Sequence, residues 1–209
     1  MKKTIVFQGD SITDMFRPTN DDRYFGSGYA NMVVAELNLR GEQNRYYNRG
    51  ISGNRSTDVL ARVRCDLINL QPDVLSILMG INDIFHELEL QNGVSAPYFD
   101  RVYRTILDMV REELPDCRIL LLEPFVIKGC WTDDPPQRWD YISLHTAEYA
   151  AIVKQIATDY GAVFVPLQDV LNEAVEKLGF DNVMADGVHP NAGGAKLIAN
   201  EWIKAYDTL

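Results

Sequence analysis

Residues 4–14 read TIVFQGDSITD, a short run of β-branched and aromatic residues followed by a glycine and a polar cluster. The run Thr4–Gln8 predicts a β-strand, because such side chains suit a pleated, buried surface. A serine at a tight strand-to-helix turn has its hydroxyl exposed and its own N–H free to point at a bound oxygen. The stretch therefore predicts the first strand of a sheet and makes Ser11 a candidate nucleophile. The alternative is a helix-capping serine beside an aspartate in a turn.

Four further β-branched runs follow, and they alternate with longer segments in which apolar residues recur every three or four positions. The other predicted strands are Arg45–Asn48, Val74–Met79, Arg118–Glu123 and Ala162–Val165. The predicted helices are Tyr29–Leu39, Thr57–Leu70, Tyr98–Leu114, Ser143–Tyr160 and Ala192–Tyr206. This alternation predicts an α/β fold built on a parallel sheet. No repeat or linker interrupts it, so we expect residues 1–209 to form a single domain.

The charge balance narrows the classes of partner. The 209 residues include 20 basic and 30 acidic side chains, which gives a formal net charge of −10. Nucleic-acid-binding proteins carry a basic surface, and anionic membranes attract basic segments, so we expect neither partner. The longest apolar run, Val74–Met79, is far shorter than the roughly 18–20 residues of a membrane-spanning helix. We therefore expect a small, neutral molecule as the substrate.

The N-terminus and the cysteines indicate a cytoplasmic location. Lys2 and Lys3 imitate the basic start of a signal peptide, but only three apolar residues follow before Gln8. The three cysteines are an odd number without a C-x-x-C spacing, so we expect neither a disulfide framework nor a zinc site. The sequence leaves the formation of a homo-oligomer open.

Two further polar motifs follow predicted strands, where open parallel sheets bind their ligands. Residues 48–56 read NRGISGNRS, in which Gly53 can offer an unobstructed backbone N–H to a developing negative charge. Residues 80–83 read GIND, and the Asn82 side chain can donate to the same charge. Each motif also has a plainer interpretation, since glycine turns, helix caps and asparagine turns are common after strands.

The last motif lies near the C-terminus, where residues 186–191 read DGVHPN. Asp186 precedes His189 by three residues, so its carboxylate can accept from one ring nitrogen and leave the other facing the serine. The alternative is a loop histidine without a catalytic role that lies beside an aspartate by chance. Serine is a weak nucleophile until a base takes its proton, so the motifs together predict catalysis more strongly than any one of them. A metal hydrolase built on the acidic residues would leave Ser11 and Asn82 without a role.

In this order the motifs resemble the four blocks of the SGNH or GDSL hydrolases, the GDSL-like lipases and acylhydrolases. The matching positions span nearly the whole chain and are Gly9-Asp10-Ser11, Gly53, Gly80-x-Asn82-Asp83 and Asp186-x-x-His189. Ile12 departs from the leucine that the family name implies, which is a change of packing beside the nucleophile. The resemblance implies a three-layer α/β/α fold with a five-stranded parallel sheet in the strand order of flavodoxin.

The resemblance also implies a reaction. Ser11 would be the nucleophile of a serine esterase, His189 its general base and later general acid, and Asp186 the carboxylate that holds the histidine tautomer. The ester would be hydrolysed through an acyl-enzyme intermediate. Neither a cofactor nor a metal is needed for this chemistry.

Four other residues receive implied roles beside the Ser11 hydroxyl. The oxyanion hole would consist of the Ser11 N–H, the Gly53 N–H and the Asn82 side chain. Asp10 and Asp83 would support the site through turn hydrogen bonds.

Three long connections at the predicted active edge, residues 15–28, 84–97 and 124–141, are expected to shape substrate choice. The last is a candidate lid or pocket wall, because loops longer than about 12–15 residues are uncommon unless functional. The alternative is that its tryptophans only fix the loop to the core. The substrate-pocket candidates are His86, Phe125, Trp131 and Trp139.

None of these connections presents the long apolar surface that a fatty acyl chain needs, whereas tryptophan and tyrosine among polar groups suit a sugar ring. We therefore expect a short-chain esterase that removes acetyl groups from carbohydrates. A lipase, a thioesterase or an acyltransferase of the same family is an alternative. A non-catalytic small-molecule binding module is more remote, since the chain lacks the glycine motifs that hold phosphates.

Overall fold

A central sheet of five parallel strands organises the structure. The computed structural model describes residues 2–209, except for the side chain of residue 136. The strands are β1 (Thr4–Gly9), β2 (Arg45–Asn48), β3 (Val74–Leu78), β4 (Arg118–Leu122) and β5 (Val163–Val165). All pairings are parallel, and the strand order is β2-β1-β3-β4-β5. The predicted five-stranded sheet is confirmed, and each strand lies within one residue of its predicted bounds.

Helices cover both faces of this sheet. They are α1 (Ser11–Asp14), α2 (Tyr29–Leu39), α3 (Ser56–Asp66), α4 (Ile81–Leu90), α5 (Ala96–Glu113), α6 (Pro136–Asp159), α7 (Gln168–Leu178) and α8 (Ala192–Tyr206). Helix α2 packs against α8, while α3, α5 and α6 form a second contiguous group. Crossovers between parallel strands are right-handed, so the two groups lie on opposite faces and form an α/β/α sandwich. No helix within the described residues is long and apolar enough to cross a membrane.

Two helices lie where the sequence predicted none. Helix α4 occupies the first half of the connection at residues 84–97, and Ile81 and Phe85, one turn apart, are buried. The loop prediction was wrong there because the first turn of α4 carries the GIND motif and was interpreted as a turn. Helix α7 was overlooked, although its apolar residues recur every three or four positions and Leu171 and Ala174 are buried.

The connection at residues 124–141 is only partly a loop. Helix α6 begins at residue 136 instead of the predicted Ser143. Proline is favoured in the first turn of a helix, and the buried Ile142 continues the apolar stripe toward the N-terminus. Trp139 therefore lies on a helix, and the predicted lid is shorter than expected.

Helix α8 is fixed to the centre of the sheet by one buried hydrogen bond. Trp202 is wholly buried, and its indole N–H donates to Ser76 Oγ of β3 at 2.8 Å. The indole ring also lies 5.4 Å from the ring of Phe7 on β1, measured between centroids. Buried polar groups need such partners, so this contact sets the position of α8. It thereby also positions the loop of residues 186–191 that leads into the helix.

Replacing Trp202 with phenylalanine should lower the free energy of unfolding by about 2–4 kcal/mol, because Ser76 loses its partner and the smaller ring leaves a cavity. Ser76→Ala should cost about 1 kcal/mol. Urea unfolding measures these losses. The double variant should lose about 1 kcal/mol less free energy of unfolding than the sum of the two single losses. Strictly additive losses would contradict the coupling between α8 and β3.

Candidate functional site

Ser11 lies at the carboxyl end of β1, at the first position of α1. Asp10 is the N-cap of this short helix, and its Oδ1 accepts the backbone N–H of Ile12 at 3.0 Å. The backbone N–H of Met15 donates to the Ser11 carbonyl at 2.9 Å and closes the turn. The half-buried Ser11 side chain is thus held at the edge of the sheet, where the sequence placed it.

His189 lies between Ser11 and Asp186. Its Nε2 is 2.8 Å from Ser11 Oγ, and its Nδ1 is 2.7 Å from Asp186 Oδ2. Asp186 Oδ1 also accepts the backbone N–H groups of Val188 and His189, each at 2.8 Å. Because a carboxylate only accepts, Nδ1 carries the ring proton and Nε2 is free to accept the serine proton. The structure therefore joins a hydroxyl, an imidazole and a carboxylate in one hydrogen-bond chain.

The electrostatics of this chain favour a basic imidazole. Burial pushes the pKa of Asp186 up, but the hydrogen bonds from the His189 ring and from two backbone N–H groups outweigh it. They hold the pKa of Asp186 below its usual value. The hydrogen bond to Asp186 raises the pKa of His189 above 6.5, against the opposing effect of burial. An ionised carboxylate at this distance stabilises the imidazolium that forms when His189 takes a proton.

The loop after β2 packs closely against the turn that carries Ser11. A Cβ at Gly50 would lie 2.4 Å from the backbone nitrogen of Asp14, so only glycine permits this approach. Gly53 has a φ of 80°, in the left-handed region that favours glycine, and open space surrounds the position of a Cβ. Gly53 is also exposed, so its backbone is uncovered, as an oxyanion donor requires.

Asp14 and Arg17 hold this loop in place, and sequence reasoning gave neither of them this role. Asp14 Oδ2 accepts from Ser52 twice, from its backbone N–H at 3.2 Å and from its hydroxyl at 2.9 Å. Arg17 Nε donates to the Gly50 carbonyl at 2.9 Å. These contacts join residues more than 30 positions apart, and no local sequence pattern indicates such pairs.

The start of α4 is tied to the same loop. Asn82 Nδ2 donates to the Asn54 carbonyl at 3.2 Å, which leaves its second N–H for a ligand. Asp83 is fully buried and accepts the backbone N–H of Ser56 at 3.1 Å together with its hydroxyl. The second and third motifs are therefore connected through side-chain hydrogen bonds.

Asp10 and Asp83 are buried carboxyl groups beside the serine and the asparagine. Burial raises the pKa of each of them to about 7. Asp10 Oδ2 has no hydrogen-bond partner within the described structure. A protonated carboxyl group repels a negative charge developing near Ser11 less than a carboxylate would, and the raised pKa makes protonation easier.

Of the four pocket candidates, Trp131 lies beside the hydrogen-bond chain, and His86 lies on the helix that carries Asn82. The Trp131 ring meets the His189 ring edge-on, with centroids 5.5 Å apart, and is 56% exposed. The Trp131 backbone N–H donates to the Asp186 carbonyl at 3.0 Å. His86 lies on α4 one turn after Asn82 and so shares its helical face.

The other two candidates lie elsewhere. Phe125 is wholly buried in the core, so the prediction that it lines a substrate pocket was wrong. Trp139 lines a separate cavity between α6 and α7. Across residues 2–209, apart from the side chain of residue 136, no three histidine, cysteine or acidic side chains are grouped so that they could hold a metal ion.

Comparison with known proteins agrees with this geometry. The model of the GDSL-like Lipase/Acylhydrolase family matches residues 7–197. An acetylxylan esterase of Geobacillus stearothermophilus is 33% identical over 96% of this chain and 92% of its own length. The crystal structure of a GDSL-like protein of Parabacteroides merdae superposes with a TM-score of 0.91 at 34% identity, covering 100% of this chain and 98% of its own. A catalytic mutant of the Geobacillus stearothermophilus acetylxylan esterase superposes with a TM-score of 0.85 at 29% identity, covering 97% and 93%. The chain belongs to the GDSL-like lipase/acylhydrolase family and is an ester-hydrolysing serine hydrolase.

Proposed function

We propose that the protein hydrolyses short-chain esters of carbohydrates, acetyl esters above all, through an acyl-enzyme formed on Ser11. The observation that carries the proposal is the hydrogen-bond chain from Ser11 Oγ through His189 to Asp186, at 2.8 and 2.7 Å. A serine hydroxyl needs an adjacent base to become nucleophilic, and the base needs an acceptor to fix its tautomer. Both conditions are met at one edge of the sheet.

In the first half of the reaction, Ser11 Oγ attacks the ester carbonyl while His189 Nε2 takes its proton. The imidazolium then gives that proton to the leaving alcohol, and the acyl group remains on Ser11. In the second half, His189 takes a proton from the water that attacks the acyl-enzyme. It then gives that proton to Ser11 Oγ as the bond between Oγ and the acyl group breaks and the acid leaves. Asp186 stays ionised throughout, because its role is to stabilise the imidazolium.

The negative charge on the carbonyl oxygen needs donors that are already in place. The backbone N–H of Ser11, the backbone N–H of Gly53 and the side chain of Asn82 serve as the oxyanion hole. Removing one such donor typically costs about 2.7–4 kcal/mol of transition-state stabilisation. Asp14 holds Ser52, the neighbour of Gly53, through two hydrogen bonds and so helps to position the Gly53 N–H.

Two observations support an acetylated carbohydrate as the substrate. The acetylxylan esterase described above shares 33% identity over nearly the whole chain. Trp131 is more than half exposed beside His189, and a large amphipathic ring of this kind suits the face of a sugar. A site that binds its substrate mainly through the sugar needs little room for the acyl chain.

Turnover of p-nitrophenyl acetate, butyrate and octanoate should fall as the acyl chain lengthens. Ser11→Ala should lower kcat for all three esters by roughly 10⁶-fold, because the nucleophile is gone. Steady-state kinetics on purified protein measures both effects. Ser95→Ala is the matched control, since Ser95 is exposed and makes no side-chain capping bond at the start of α5. Near-normal turnover by Ser11→Ala would refute the nucleophile, and a preference for octanoate would refute the short-chain specificity.

The pH profile of kcat/KM for p-nitrophenyl acetate should fall on the acid side with a midpoint above 6.5, because protonated His189 cannot take the serine proton and its pKa is raised. Asp186→Asn removes the charge and the acceptor that raise this pKa, so the midpoint should move to lower pH. The same variant should lower kcat by roughly 10⁴-fold through loss of the correct tautomer. An unchanged midpoint in Asp186→Asn would contradict the pairing of the two residues in catalysis.

A further inference from the structure

The cavity between α6 and α7 that Trp139 lines opens near the carboxyl ends of β4 and β5, at the edge of the sheet that carries Ser11. Its volume is about 480 Å³, within the usual range for small-molecule sites. Pro124, which closely follows β4, and Pro166, which follows β5, both line it, and α6 and α7 supply most of its remaining walls. None of the residues assigned to catalysis lines this cavity.

The wall of the cavity contains a buried hydroxyl without a partner. Thr146 on α6 is 1% exposed, and its Oγ1 makes no hydrogen bond within the described structure. Nearly all buried polar groups in folded proteins are paired, because leaving one unpaired is unfavourable. A ligand that carries hydroxyl groups would supply the missing partner.

Aromatic rings form two of the other walls. Trp139 on α6 and Phe164 on β5 both line the cavity, and each is half-buried. Between them, α6 contributes the small side chains of Ala147 and Ala151, which leave room for a ring. A flat apolar surface beside hydrogen-bonding groups suits a pyranose, which has a C–H face and hydroxyl edges.

The charges at the rim match a neutral ligand. Lys154, Asp169 and Asn172 are exposed there and provide one cation, one anion and one amide. The carboxylate of Glu123 is already engaged, since it accepts the backbone N–H groups of Leu167 and Gln168, at the start of α7, at 2.6 and 2.9 Å. Opposite charges at the rim give no net preference for an ionic ligand, whereas each of the three groups can bind a hydroxyl.

The cavity is within reach of a substrate bound at Ser11. Strands β4 and β5 are two and three positions from β1 in the sheet. At about 4.8 Å per strand, the two strands whose ends border the cavity lie roughly 10 and 14 Å across the sheet from β1. The segment that begins at Pro124 leads from the cavity to Trp131, whose backbone N–H donates to the Asp186 carbonyl.

We propose that this cavity is a distal subsite for a glycosyl unit of the same substrate molecule, beyond the unit that bears the ester. The inference rests on the proposed function. The sugar ring stacks on Trp139, one hydroxyl pairs with Thr146, and others contact Lys154, Asp169 and Asn172. The protein then acts best on acetylated oligosaccharides that are long enough to reach from Ser11 to the cavity.

The test compares kcat/KM for an acetylated xylotetraose with kcat/KM for acetylated methyl xyloside. We expect the longer substrate to be favoured about tenfold in the wild type, as one additional bound unit would give. Ala151→Trp fills the cavity from the exposed side of α6 and should bring this ratio close to one. Leu144→Trp is the matched control, since Leu144 is 68% exposed on the same helix, outside the cavity, and should keep the wild-type ratio.

Thr146→Val provides a second variant that preserves the shape of the core. It should lower the ratio about threefold, because a sugar hydroxyl loses its partner. A wild-type ratio near one, or an unchanged ratio in both cavity variants, would overturn the subsite. The proposed function would still stand in that case if the short sugar ester is hydrolysed. Failure to hydrolyse either sugar ester, with Ser11-dependent turnover of p-nitrophenyl acetate, would overturn the proposed carbohydrate specificity and the subsite together.

Discussion

The hydrogen bond between His189 Nε2 and Ser11 Oγ joins residues 178 positions apart, and the arrangement of the site depends on it. One partner lies at the end of β1 and the other in the loop before α8. They meet because β1 lies inside the sheet and because α8 is fixed to β3 through Trp202 and Ser76. Tertiary packing thus brings the base to a nucleophile that the first strand has already positioned.

The proposed oxyanion hole depends on hydrogen bonds between the sequence motifs. Asp14 binds Ser52, Asn82 binds the Asn54 carbonyl, and Asp83 binds Ser56. The first contact links the segment after β1 to the segment after β2, and the other two link the segments after β2 and β3, which flank β1 in the sheet. The donors for the oxyanion are therefore held before substrate arrives. Such preorganisation is usually the largest contribution to catalysis of acyl transfer.

The sequence was sufficient for the sheet and for the polar motifs at its edge. Buried parallel strands are continuous apolar runs, and the motifs follow them directly, so both are local signals. The first turns of α6, at residues 136–141, and the whole of α7 were missed, although the apolar residues of α7 recur at helical spacing. Phe125 was assigned to a pocket although it packs in the core, and Asp14 was not given its role in holding the loop of Gly53. Both errors concern which distant residues a side chain touches, which a local pattern does not contain.

The central claim is that His189 activates Ser11 as the nucleophile. The most direct test is to react the protein with an alkyl p-nitrophenyl methylphosphonate, which forms a stable tetrahedral adduct on an activated serine. Peptide mass mapping should find the adduct on Ser11 alone, and His189→Ala should slow its formation at least about a hundredfold, as loss of a general base does. An adduct on another residue, or an unchanged rate in His189→Ala, would contradict the account.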